Sequence, residues 1–262
     1  LQSSCACGMS VATTAAKYDI DTVIIDQQSG PAANYRSIET PQCPVRVQDS
    51  EYHAGLALVE QFRASTAEFV PNAGVWNIGR HPQGGREIGI LVNGKNRLIT
   101  CQILVLATGA QERPMPIPGW QLPGVMTAGA GQILLKSAAM LPDDGVVLAG
   151  CGPLLLLLAC QYLRSGVKIG ALLDTTAPGA RHSAVTKLPR ALTAIEYLRK
   201  GFNLLREIRN AGVPIYKQVT ALQADGENAL ERVQFRSRGR AFTLDKSTLL
   251  LHHGVTPGIH SR

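Results

Sequence analysis

The chain has 262 residues, of which 45% are hydrophobic and 17% charged, and its formal net charge is +7. This length and apolar content exclude a disordered protein and allow one large domain or two smaller ones. No stretch approaches the about 20 uninterrupted apolar residues of a membrane-spanning helix, and the first ten residues have neither a basic start nor an apolar signal core. The sequence therefore predicts a cytoplasmic protein, or part of one, without a membrane span.

The first half of the chain alternates helical and strand-like segments. Small residues at 8–17 predict a helix, and the β-branched run that follows predicts a strand ending at Asp26. A polar, proline-containing loop then leads to a predicted helix at 50–64. Further strands are predicted at 68–70, 75–78, 87–92 and 98–107.

Four prolines between residues 114 and 123 indicate a connector, and the pattern of the first half then restarts. Gly150, Cys151 and Gly152 form a predicted tight turn, and a strand predicted after the next helix ends at Asp174. An amphipathic helix is predicted at 188–210, and short strands dominate 213–252, with a hairpin turn at 237–239. The remaining predicted elements are a helix at 127–140, a strand at 146–149, a helix at 154–164 and a strand at 168–174.

Both halves thus follow one plan of turn, helix, strand and acidic residue. The acid follows the turn by 24 positions in the second half and by 23 in the first, close to the roughly 20-residue spacing of a dinucleotide-binding βαβ unit. The predicted fold class is α/β, with two Rossmann-like dinucleotide-binding domains, the second inserted in the first.

The second turn retains the features that a nucleotide pyrophosphate requires. Gly150 and Gly152 would let the backbone approach the phosphates, and Asp174 would hold a ribose. Leu155 replaces the third glycine, and Pro153 is compatible with a helix start. The turn predicts a site for NAD(P) or another adenine nucleotide, with an empty scaffold as the alternative.

The first turn has lost most of its motif. The frame reads SSCACG at positions 3–8, so that only Gly8, the third glycine, remains. Asp26, Gln27 and Gln28 stand where a ribose would be held. Because Ser3 and Cys5 put side chains where the phosphates would lie, we expect this chain by itself to bind FAD weakly or not at all.

The sequence shows no motif that indicates a metal site or a nucleic-acid-binding site. The six cysteines contain no CxxC pair, and the six histidines show no metal-binding spacing; His252 and His253 end a strand with side chains on opposite faces. Residues 181–246 hold 13 basic and 6 acidic residues, the whole charge excess, but the bases are scattered. They indicate a solvated face or a surface for an acidic partner.

Two segments resemble a known family: LVLATGAQERPMPIPGWQLPGVMTAGAGQ (104–132) and GVVLAGCGPLLLLLACQYLRSGVKIGALLDTT (145–176). They are similar to the pyridine nucleotide–disulfide oxidoreductase superfamily, most of all to the FAD-carrying subunits of hydrogen cyanide synthase, opine oxidase and hydroxyproline dehydrogenase. The resemblance implies that Ala107, Thr108 and Gly109 pass close to the flavin nucleotide. It also implies that the backbone of Val75 meets the adenine.

The resemblance implies a domain plan. Residues 1–117 correspond to an incomplete FAD-binding domain, 118–250 to an NAD(P)-binding domain and 251–262 to the segment that returns to the first. The family continues beyond the strand that 249–257 matches, so we expect a truncated family member with a degenerate first glycine motif. Disulfide reduction is set aside because the sequence has no closely spaced pair of redox cysteines.

The implied function is that of a flavin-dependent oxidoreductase subunit in a hetero-oligomeric amine, imino-acid or opine dehydrogenase or oxidase, acting on CH–NH or CH–NH2 donors. Its partners would be a second flavoprotein subunit, with an iron–sulfur subunit as a further candidate. The sequence identifies no catalytic side chain and no metal ligand. The alternative is a non-catalytic nucleotide-binding or scaffold subunit, or a degenerate fragment without activity of its own.

Overall fold

A computed structural model describes residues 6–31, 50–177, 179 and 195–258, which divide into two compact units. Unit 1 comprises described residues 6–31, 50–111 and 256–258, and unit 2 comprises described residues 112–177, 179 and 195–255. The chain thus enters unit 2 after residue 111 and returns to unit 1 at residue 256. The domain boundaries expected from the sequence, after residues 117 and 250, stay predictions.

Unit 1 contains two helices and two small groups of strands. Its helices are α1 (Ala6–Ala16) and α2 (Ser50–Arg63). Its strands are β1 (Val23–Ile25), β2 (Glu68–Val70), β3 (Ala73–Arg80), β4 (Arg86–Val92) and β5 (Lys95–Cys101). Strands β6 (Ala110–Glu112) and β15 (Val255–Pro257), where the chain leaves and re-enters unit 1, pair with each other.

The core of unit 1 lies where α1 and α2 meet. Met9 and Ala12 of α1 pack with Val59 and Phe62 of α2, and all four side chains are buried. Strands β1 and β2 are parallel, whereas β3, β4 and β5 form an antiparallel meander. The helix–strand order predicted for residues 8–26 is therefore confirmed.

The strand predicted at 98–107 is wrong in its second half. Strand β5 ends at Cys101, and residues 103–107 adopt no strand. In this segment Ile103 is 80% exposed and Leu106 is 55% exposed. An apolar run becomes a strand only when a neighbouring backbone exchanges hydrogen bonds with it. No strand among the described residues pairs with residues 103–107.

Unit 2 is built on a five-stranded parallel sheet in the order β10–β9–β8–β14–β7. The strands of this sheet are β7 (Val125–Thr127), β8 (Val146–Gly150), β9 (Ile169–Asp174), β10 (Ile215–Lys217) and β14 (Leu249–His252). Its helices are α3 (Ala128–Ala138), α4 (Pro153–Arg164) and α5 (Ile195–Asn210). An antiparallel meander follows β10, formed by β11 (Val219–Asp225), β12 (Arg232–Ser237) and β13 (Arg240–Asp245).

The central strands are apolar, apart from His252 at the end of β14, because both faces of the sheet are covered. Every residue of β8 and β14 is buried. One cluster of buried residues joins the sheet to the helices, including Leu158 of α4 and Ile208 of α5. A second cluster joins the sheet to the meander, including Phe235 of β12. The parallel α/β plan predicted for this half is confirmed.

The strand order reverses between β8 and β14, which forms a switch point at the carboxyl end of the sheet. The chain passes from β8 to β9 on one side, while β14 pairs with β8 on the other. Open α/β sheets bind ligands at such a switch point, because the connections leave the strand ends in opposite directions there.

Local predictions in unit 2 are also reproduced. The hairpin at 237–239 is confirmed, since Ser237 of β12 pairs with Arg240 of β13 and Arg238 and Gly239 have positive φ angles. Helix α5 gives the second part of the helix predicted at 188–210; residues 188–194 lie outside the described residues. In the meander, a hydrogen bond from Arg232 holds the pKa of Asp225 below its usual value.

Tyr162 of α4 predicts a loss of stability in alkaline solution. Burial raises the pKa of its phenol from 10.0 to about 12. The pKa of this phenol is higher in the folded state than in the unfolded state. The protein therefore keeps its full stability below pH 10 and loses stability as the pH rises toward 12. The free energy of unfolding should therefore fall by up to about 1.4 kcal/mol per pH unit in this range. Urea titrations of the parent chain and Tyr162→Phe should show a shallower decline for the variant; equal slopes would contradict this prediction.

Candidate functional site

The glycine turn between β8 and α4 lies at the switch point. Gly150 and Gly152 have φ angles of +142° and +99°, which residues with a Cβ rarely adopt. A Cβ on Gly150 would lie 1.8 Å from the carbonyl oxygen of His252, so β8 and β14 can approach this closely only with glycine there. Helix α4 begins at Pro153 with Gly152 as its N-cap. The turn thus presents the amino end of a helix without an obstructing side chain.

Asp174 lies at the end of the neighbouring strand, as predicted. Gly150 and Asp174 are paired in the β8–β9 register. One carboxylate oxygen of Asp174 accepts the backbone N–H of Thr176 at 2.9 Å. The structure therefore brings together three residues predicted from the sequence, Gly150, Gly152 and Asp174.

A cavity of about 290 Å³ opens beside this turn. At one end it is lined by Cys151, Gly152 and Asp174, and its walls are mainly leucine and isoleucine side chains of α4, α5 and the sheet. Arg209 and Lys217 supply positive charge at its edge. An apolar wall next to a few convergent polar groups suits an adenosine moiety with a phosphate at the turn.

Leu155, at the third glycine position of the motif, points into the protein. Its side chain is 2% exposed and belongs to the helix-side core of unit 2. Cys160, further along α4, is also buried, and its thiol lies 3.5 Å from the carbonyl oxygen of Leu204. The side chains of Leu155 and Cys160 therefore pack in the core, and neither is a reactive group at the glycine turn.

In unit 1, the surviving third glycine marks a close contact between helix α1 and the segment that contains Ala107. A Cβ on Gly8 of α1 would lie 3.3 Å from the Cβ of Ala107, so that glycine permits the approach. Thr108 donates a hydrogen bond to the carbonyl oxygen of Gly258, and the N–H of Gly258 donates to the carbonyl oxygen of Gly109 at 2.9 Å. Residues 3–5, the rest of the predicted motif, lie outside the described residues.

The predicted ribose residues lie at the end of β1. Asp26 is 4% exposed, and its carboxylate accepts the N–H of Gln28 at 2.8 Å. Gln27 lines an open depression with Asn72 and Gly74 at the start of β3. Val75 follows in β3, is partly exposed and precedes a bulge in the pairing with β4. This arrangement leaves room for a ribose and adenine along the start of β3.

The sequence reasoning missed a buried pair in unit 2. Nδ1 of His252 lies 2.5 Å from a carboxylate oxygen of Glu112, and the two side chains are 4% and 10% exposed. The other carboxylate oxygen of Glu112 accepts the N–H of Gly129, in the first turn of α3, at 2.5 Å. No local sequence pattern links two residues that are 140 positions apart. The one sequence feature that could have indicated this pair is His252 itself, a histidine at the end of a strand that otherwise consists of leucine.

Two general features hold over the described part of the chain. No group of three or more histidine, cysteine or acidic side chains there could hold a metal ion. Among the same residues, no helix combines the length and the apolar content needed to cross a membrane.

Comparison with known proteins gives sequence relatives over most of the chain. An opine oxidase subunit of Rhizobium meliloti is 38% identical over 257 residues, which are 95% of this chain and 48% of that protein. Hydrogen cyanide synthase subunit HcnB of Pseudomonas aeruginosa is 29% identical over 234 residues, 86% of this chain and 48% of that protein. The chain thus spans about half the length of these relatives.

Solved structures reproduce the fold at low sequence identity. Thioredoxin reductase of T. acidophilum gives a TM-score of 0.63 at 14% identity and covers 97% of this chain and 75% of its own. L-proline dehydrogenase from P. horikoshii gives 0.59 at 13% identity, covering 97% of this chain and 41% of its own. These likenesses confirm the predicted α/β fold with two Rossmann-like domains.

The family model named pyridine nucleotide-disulphide oxidoreductase matches residues 4–261, which is nearly the whole chain. This match confirms the resemblance drawn from the ATG segment and the second glycine turn. The chain belongs to the pyridine nucleotide-disulphide oxidoreductase family.

Proposed function

We propose that this chain is part of a flavin-dependent oxidoreductase subunit of a hetero-oligomer that oxidises carbon–nitrogen bonds. The observation that carries the proposal is the identity of 38% with the opine oxidase subunit of Rhizobium meliloti over 95% of this chain. The name of that relative supports an amine, imino-acid or opine donor and a partner subunit. In this proposal the partner is a second flavoprotein subunit, with an iron–sulfur subunit as a further candidate.

FAD would be held by unit 1. Gly8 brings α1 against Ala107, and the buried Asp26 ends β1 beside the depression at Gln27 and Gly74. These features suit the adenosine part of the cofactor. Oxidation of a carbon–nitrogen single bond to an imine releases two electrons and two protons, and FAD, when bound, supplies the chemistry that accepts the electron pair. The residues of this chain would bind and orient it.

Unit 2 would bind a second adenine nucleotide. Its turn has the two glycines, the helix start, the acid and the cavity that such a ligand requires. The alternative function, a non-catalytic nucleotide-binding or scaffold subunit, is favoured by Ser3 and Cys5 in the first motif.

Restoring the first glycine motif tests the FAD proposal directly. The double variant Ser3→Gly with Cys5→Gly should bind FAD at least about tenfold more tightly than the parent chain, because backbone N–H groups could then approach the pyrophosphate. Ser4→Gly, which changes a position that the motif leaves free, is the matched control and should bind like the parent. FAD affinity would be measured by quenching of flavin fluorescence. No binding by any of the three proteins would favour the scaffold function.

The donor class is tested with the chain co-purified with the products of its neighbouring genes. Under anaerobic conditions, secondary-amine and imino-acid donors should bleach the visible flavin bands. Bleaching by dithiols alone would contradict the proposed donor class and favour disulfide chemistry.

A further inference from the structure

The buried pair of Glu112 and His252 lies at the edge of the second glycine turn. His252 is the last residue of β14 and is paired with Gly150 in the register of the sheet. A Cβ on Gly152 would lie 3.8 Å from Nε2 of His252. The imidazole therefore borders the space that Gly152 keeps open at the amino end of α4.

The orientation of the imidazole is fixed from its other side. Nδ1 is held by Glu112, whose second oxygen is held by the N–H of Gly129. This carboxylate is also stabilised because it lies beside the first turn of α3, at the positive end of the helix dipole. Nε2 has no hydrogen-bond partner among the described residues. Since no side-chain nitrogen or oxygen there is both fully buried and unpartnered, Nε2 keeps some exposed surface, although the side chain as a whole is 4% exposed.

The chemistry of such a histidine depends on its protonation. With Nδ1–H donating to the carboxylate, neutral histidine presents a lone pair at Nε2, which repels a phosphate oxygen. The imidazolium presents an N–H instead and donates a charge-assisted hydrogen bond. A phosphate at the turn would therefore favour the protonated form.

We propose that Nε2 of His252 binds the pyrophosphate of an adenine nucleotide at the second glycine turn, and that this binding takes up a proton. Glu112 is a positioning residue that orients the ring. The inference rests on the proposed nucleotide site of unit 2 and adds to it the group that contacts the phosphate and the pH dependence of its affinity.

Few other titratable groups surround this imidazole. Strand β6 contributes Glu112, which contacts the ring. Cys151, in the turn after β8, donates its backbone N–H to the carbonyl oxygen of His252, and Asp174 ends β9 opposite Gly150. Strand β7 and helix α3 contribute Thr127 and Gly129, neither of which is titratable. The adjacent His253 is exposed.

ADP-ribose is a suitable probe, because its pyrophosphate is a diester that does not titrate near neutral pH. Its binding would be measured by calorimetry between about pH 6 and about pH 8.5, where histidine titrates, in buffers of different ionisation heat. The affinity should fall about tenfold over this range, and the dependence of the heat on the buffer should report uptake of up to one proton.

Variants separate the roles of the two residues. His252→Gln retains an N–H donor but cannot titrate, so its affinity should not depend on pH, whereas His252→Ala should bind about tenfold more weakly than the parent near pH 6. Glu112→Gln should shift the pH profile toward lower pH, because the imidazolium loses its counter-charge. His253→Gln is the matched control and should behave like the parent. Thermal melts of each variant would verify folding.

The outcomes distinguish the inference from the site that it assumes. Absence of binding to the parent at every pH would overturn the nucleotide site and the inference together. Binding that is independent of pH and of buffer, or a pH profile unchanged in His252→Gln, would overturn the role of His252 alone.

Discussion

Replacing Gly150 with alanine is expected to lower the free energy of unfolding of unit 2 by at least about 3 kcal/mol. The residue has a φ of +142°, and its Cβ would lie 1.8 Å from the carbonyl oxygen of His252 and 2.7 Å from the carbonyl carbon. Both atoms belong to the backbone of β14, so no side-chain rotation relieves the overlap. The two central strands of the sheet would have to separate.

Gly166 provides the matched control for this substitution. It also lies in unit 2 and has a φ of +87°, but a Cβ there would meet no atom of the described residues within 4 Å. Gly166→Ala should therefore cost only the backbone strain, about 1 kcal/mol. Urea unfolding followed by circular dichroism measures both variants. Equal losses would mean that the approach of β8 and β14 at Gly150 does not limit stability.

Replacing Gly152 with valine should abolish nucleotide binding by unit 2, with a loss of affinity of at least about a hundredfold. The glycine leaves open the space between the start of α4 and the imidazole of His252. A valine side chain would occupy the position proposed for the pyrophosphate. Asp174→Asn should have a milder effect, about fivefold to tenfold, because an amide keeps part of the hydrogen bonding to a ribose.

The measurement is the shift of the thermal midpoint with NAD, NADP, ATP and ADP, followed by calorimetry for the nucleotide that responds. Cys151→Ser, at the position between the two glycines, is the control and should bind like the parent. Because Gly152 has a positive φ, the melting curve of the variant without nucleotide must show that it still folds. If the parent itself responds to no nucleotide, the second turn is an empty scaffold.

The amino-acid sequence was sufficient for features that depend on neighbours along the chain. Gly150, Gly152 and Pro153 fix a turn and a helix start because their own backbone preferences do so. The apolar runs at β8 and β14 predict strands, and the spacing from Gly150 to Asp174 places the acid beside the turn. Here local conformation and hydrophobic pattern agree with the final fold.

The tertiary structure decided the features that depend on distant segments. Residues 103–107 have the apolar content of a strand, yet no described strand pairs with them, because hydrogen bonding is a property of two backbones. Glu112 and His252 meet only because the fold brings the end of β14 to the end of β6. The sequence by itself thus determined the glycine turn, the helix start and the position of the acid in unit 2. The order of the strands decided which polar groups face the turn, because it places Glu112 and His252, 140 positions apart in the chain, side by side.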